Sequence, residues 1–171
     1  MTSDEFTKQF DPLVNAARNA TEQYQNLNRF ADTVKETVLV DFGMPMTSEV
    51  IHKLAHLQPQ LFDKIGDFLH QRGKKQEYPA TPELTEPIPD LNKAFEIVMT
   101  GLQDIDTALV SLIAELDAVP SCKALAREAE NLQMESSASW EKLLTAWKMW
   151  NTPGMSAVSY DRWIHSFFGG D

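Results

Sequence analysis

Residues 91–116 read LNKAFEIVMTGLQDIDTALVSLIAEL, and their apolar positions decide the fold. Leu91, Phe95, Val98, Leu102, Ile105, Leu109, Leu112 and Leu116 recur at alternating spacings of four and three. A spacing averaging about 3.5 residues draws one stripe along an α-helix, and a stripe needs other helices to cover it. The same rhythm runs from Phe6 through Phe10, Leu13, Ala17, Ala20, Tyr24, Leu27, Ala31 and Val34 to Val38. Two such rods predict an all-α protein built as a helical bundle.

The breakers set the other boundaries. Asp11-Pro12 fits the start of a helix over about 12–41, with Thr2 and Glu5 forming a capping box for a short lead-in. Gly43 and Pro45 stop that rod. A second helix is expected over about 48–72, burying Val50, Leu54, Leu57, Leu61, Ile65 and Phe68, with Pro59 kinking or dividing it near Gln58. Residues 74–89 hold Pro79, Pro82, Pro87 and Pro89, which exclude a continuous helix and favour an extended crossover. The third helix then runs over about 90–117 from the Pro89-Asp90 start. The turn Val119-Pro120-Ser121, with Ser121 as N-cap, leads into a fourth over about 121–151. A short C-terminal helix is expected over about 159–168, capped by Ser159 and ended by Gly169-Gly170. The expected organisation is a four-helix bundle over residues 1–151, then an aromatic segment, residues 152–171, packed on the bundle or on a partner.

Composition narrows the function classes. The 171 residues carry a formal charge of −10, which disfavours binding to phosphate backbones. The acidity is concentrated in residues 90–120, where Lys93 faces Asp90, Glu96, Asp104, Asp106, Glu115 and Asp117. No basic, apolar leader opens the chain, and no apolar run reaches the roughly 20 residues that span a bilayer. The one cysteine, Cys122, cannot form an intrachain disulfide. A cytoplasmic protein is expected, binding no nucleic acid and spanning no membrane. Cys122 falls near the start of a helix, where the dipole lowers a thiol pKa. Phosphate-loop, dinucleotide and nucleophile-elbow motifs are missing from the sequence, so catalysis is not expected.

Two groups of residues bear on function. Tyr160, Trp163, Ile164, Phe167 and Phe168 form a broad apolar face on a helix too short to be stable alone. Aromatic anchors at this spacing suit a helix that docks in a groove, so these five are the candidate partner-binding residues. Glu49, His52, His56 and Asp63 form the second group. Glu49 and His52 stand at i, i+3; His52 and His56 at i, i+4; Asp63 follows His56 by two turns. Residues so spaced on one helix face can share a metal ion. No cofactor is otherwise expected.

Four long helices with a long second crossover resemble the ferritin-like architecture, in topology alone and over about 140 residues. That resemblance implies a metal site of carboxylates from two helices and Glu-x-x-His pairs from the other two. This chain departs from the pattern. Glu49-Val50-Ile51-His52 is its one such pair, and the fourth helix holds Glu128, Glu130 and Glu135 without a histidine. The primary expectation is therefore a non-catalytic interaction or accessory protein, with a protein partner, self-association or both. The alternative is a divergent ferritin-like bundle that binds a metal or small ligand.

Overall fold

The computed structural model describes residues 2–57, 59–76 and 78–169. It is all-helical, with no strand among the described residues. The helices are α1 (Ser3–Lys8), α2 (Asp11–Val40), α3 (Pro45–Ala55), α4 (Leu61–His70), α5 (Leu91–Asp117), α6 (Lys123–Trp150) and α7 (Ala157–Phe167).

Both candidate starts of the first rod are used. Thr2 and Glu5 exchange the two hydrogen bonds of a capping box to open α1. Then α2 begins anew with Pro12 in its first turn, where a missing N–H costs nothing. Leu13, Ala17, Ala20, Leu27, Ala31, Val34 and Val38 are buried as the stripe requires. Phe6 at its head stays 45% exposed, because the short α1 lies beyond the core.

The second rod, expected over about 48–72 with a kink or division at Pro59, is divided into α3 and α4. Pro45 occupies the first turn of α3, so this helix starts three residues early. Gly43 makes that start possible, with a φ of +64° that turns the chain back toward α2. At the far end α3 stops at Ala55, and α4 resumes at Leu61, beyond Pro59. Proline lacks the N–H and crowds the preceding turn, so the helix divides. The expected break at Gln58 lies outside the described residues. The last two elements also start differently. Pro120–Cys122 form a 3-10 turn, and Cys122, not Ser121, caps α6, without a side-chain hydrogen bond. Ser156 rather than Ser159 caps α7, accepting from the Ser159 N–H at 3.2 Å. Gly169 ends α7 with a φ of +79°, and Gly170 lies outside the described residues.

At the centre, α5 packs along both α2 and α6. Its eight stripe positions are all buried, joined by Ala94, Ile97, Met99 and Ala108. The buried face is therefore wider than one stripe, because two helices rather than one cover it. Gly101 lets α2 come close: a Cβ there would lie 2.8 Å from Leu27 Cδ1. By length and composition α5 is also apolar enough to cross a membrane, although charged residues interrupt its apolar run. Here its leucines and isoleucines form the centre of the core.

Small residues bring α6 close to α5. Ser136 is buried and its hydroxyl donates to the Leu102 carbonyl at 3.4 Å; Ser137 donates to Asp106 at 2.9 Å. The described residues of the 74–89 segment form no regular helix, yet they are tied along α2. Lys74 pairs with Asp11, Gln76 donates to Thr21 at 3.3 Å, and Arg29 donates to the Thr81 carbonyl at 3.2 Å.

Candidate functional site

The fold separates the four residues expected to share a metal. His52 and His56 stay together, their ring centroids 4.2 Å apart, on the side of α3 that faces α2. There they meet Asp32 and Lys35 of α2. Asp32 Oδ1 lies 3.0 Å from His56 Nε2 and 3.6 Å from His52 Nδ1. Lys35 Nζ lies 3.1 Å from His52 Nδ1. Partial burial pushes the His52 imidazole below its usual range, helped by His56 and Lys35 and opposed by Asp32.

Glu49 and Asp63 lie elsewhere. Glu49 pairs with Lys53 at 3.0 Å, and both line a cleft with Lys142, His165 and Phe168. The hydrogen bond from Lys53 holds the Glu49 carboxyl below the usual carboxylate range. Asp63 is on α4 and borders a cleft with Asp67 and His70. Spacing across Pro59 assumed one continuous helix axis, and the division of the rod removes that relation. Asp32 was missed because periodicity reads one helix at a time. Its only local signal is a place beside Ala31 on the polar edge of the α2 stripe.

Two segments fix the α2–α3 contact around this cluster. The Ser48 hydroxyl donates to the Lys35 carbonyl at 2.7 Å, and the Tyr24 hydroxyl to the Leu57 carbonyl at 2.5 Å. The fourth-helix acids of the ferritin-like ligand set do not enter the core: Glu128, Glu130 and Glu135 are not among the buried residues. Glu128 instead pairs with Lys64 at 2.6 Å.

The aromatic segment divides into a buried and an outer part. Tyr160 and Ile164 are fully buried against the bundle. Tyr160 meets Trp150 edge-on at 5.1 Å between centroids and donates its hydroxyl to the Ala146 carbonyl at 2.6 Å. Burial raises its pKa. Asp161, also buried, accepts from the backbone N–H groups of Met46 and Thr47, so α7 caps the start of α3. Trp163, half-buried against the core, stacks on Phe167 at 4.9 Å with an interplanar angle of 14°. Phe167 is 39% exposed. Phe168 meets Phe167 edge-on and sits 5.8 Å from the Lys142 ammonium.

Cys122 does not carry a lowered thiol pKa. It is fully buried, and burial pushes its thiol pKa up despite the nearby Arg72. A helix start inside the core favours the neutral thiol over the thiolate. A more open cleft of about 380 Å³ lies between α2, the 74–89 segment and α5, bordered by Glu83, Glu86, Glu96 and Asp104.

No family model matches the chain. It is similar to the alpha-mannosidase 2x of Mus musculus, with 26% identity over 140 residues, covering 75% of this chain. The chain spans only 12% of the length of that curated relative, and the enzyme activity its name states is not carried over.

Proposed function

We propose that this chain is a non-catalytic, cytoplasmic interaction module. In this reading α2, the divided rod α3–α4, α5 and α6 form a four-helix bundle, and residues 74–89 are its long crossover. The bundle holds α7 so that the outer edge of that helix meets a protein partner. The supporting observation is Phe167, 39% exposed and stacked on the half-buried Trp163, after Tyr160 and Ile164 are buried. A rigid aromatic pair binds with little loss of conformational freedom. Lys142 lies 5.8 Å from the adjacent Phe168 ring within an otherwise acidic protein. The partner segment that fits is apolar with acidic side chains at its margin.

The test replaces the exposed Phe167 and its half-buried neighbour Phe168. Phe167→Ser with Phe168→Ser should leave the helical circular dichroism unchanged. The wild-type chain, used as bait, should retain a partner whose purified form binds it directly, and the double variant should bind it at least about tenfold more weakly. A control, Val110→Ser on the exposed side of α5, should bind normally. Equal binding by both variants would remove the patch from the interface. Concentration-dependent sedimentation that the double variant abolishes would make the partner a second copy of this chain.

A further inference from the structure

We infer that Asp32, His52 and His56 form a binding site for a divalent transition-metal ion, zinc foremost, held between α2 and α3. One ligand atom from each residue lies within 4.8 Å of the other two. Two of the edges are 3.0 Å and 3.6 Å. A tetrahedral zinc ion with bonds of about 2.0–2.1 Å spaces its ligand atoms about 3.3 Å apart. The two edges at Asp32 bracket that value, and the third, between the imidazole nitrogens, lies within 4.8 Å, so side-chain rotations bring the three donors around one ion.

The donor set decides the ion. Two imidazoles and one carboxylate suit zinc, cobalt or nickel rather than calcium or magnesium, which prefer oxygen alone. Three protein ligands leave a fourth position for water, and the side chains of His52 and His56 are 40% and 35% exposed, so the ion enters from solvent.

Lys35 supplies a second, independent observation. Its ammonium donates to His52 Nδ1 at 3.1 Å and lies 3.8 Å from Asp32 Oδ1. The structure thus already places a cation against two of the three ligands. The hydrogen bond also requires an unprotonated Nδ1 on His52, the form that binds metal. On metal binding, Lys35 swings into solvent. His56, which now donates its Nε2–H to Asp32, moves that proton to Nδ1 and presents the Nε2 lone pair. The helix contact needs no rearrangement, because Ser48 and Tyr24 already fix it.

Zinc titrated into the full chain by calorimetry, and cobalt followed by visible absorption, test the site. One ion per chain is expected, with an absorption band typical of imidazole-ligated cobalt. His56→Ala and Asp32→Ala should each weaken binding roughly tenfold or more. Lys35→Met should tighten it, because the competing ammonium is gone. Should either alanine variant lose its helical signal, His56→Gln and Asp32→Asn take its place. No zinc uptake at about 0.1 mM would overturn the proposal. So would binding that survives loss of His56 and Asp32.

Discussion

Asp161 completes the N-terminus of α3: its Oδ1 accepts from the Thr47 backbone N–H at 2.7 Å and from the Thr47 hydroxyl at 2.8 Å. The α3 N-cap position, Met44, has no side-chain oxygen to give, so Asp161, 114 positions beyond Thr47, does the capping. A carboxylate at a helix start also meets the positive end of the helix dipole. Asp161→Ala strands two N–H groups and a hydroxyl in a largely dry place. The expected loss is about 2–4 kcal/mol by urea unfolding. A loss below about 0.5 kcal/mol, the usual surface value, would show that α3 does not depend on this cap.

Removing residues 155–171 takes away Tyr160, Asp161 and Ile164 together, all of them buried. Full burial of one large apolar side chain contributes about 1.5–3 kcal/mol. The truncated chain should therefore melt roughly 10 °C or more below the full chain, at about 2–4 °C per kcal/mol. An unchanged melting curve would place α7 outside the folded unit.

Tyr160 should make the fold sensitive to alkali. Burial raises its pKa, so the folded state holds the phenolic proton more tightly than the unfolded chain does. This contribution is complete below the unfolded value of about 10 and is lost as pH rises above it. Tyr160→Phe should cost about 0.5–1.5 kcal/mol at neutral pH, through the hydrogen bond to Ala146. The variant should lose stability less steeply than wild type above pH of about 10. Parallel pH profiles for the two proteins would count against it.

The centre of α5 gives a paired comparison. Leu109 is fully buried, whereas its neighbour Val110 is 52% exposed. Leu109→Ala should cost about 2–5 kcal/mol and Val110→Ala less than about 0.5 kcal/mol. Similar losses at both positions would mean that the helix is rotated from its described setting.

Cys122 should resist thiol reagents in the native state, because it is buried and its neutral form is favoured. Its labelling rate should rise with urea in step with global unfolding. Fast labelling of the folded chain would contradict the burial.

Periodicity in the sequence determined the helical rods of α2, α5 and α6 and the interruption near Pro59, because each depends on neighbours within a few positions. A 3.5-residue rhythm, a proline without an N–H and a capping box act locally. The same reasoning stopped short wherever the partner is distant in the chain. It could not bring Asp32 to His52 and His56, since their meeting depends on how α2 and α3 pack. Nor could it separate Tyr160 and Ile164, which are buried, from Trp163 and Phe167 on the same apolar face. It carried Asp63 into a metal set by assuming an unbroken axis, which the division of the rod does not provide. Asp161 gave no sequence signal at all, because a lone carboxylate becomes a cap only when tertiary packing sets it against the N–H groups of another helix.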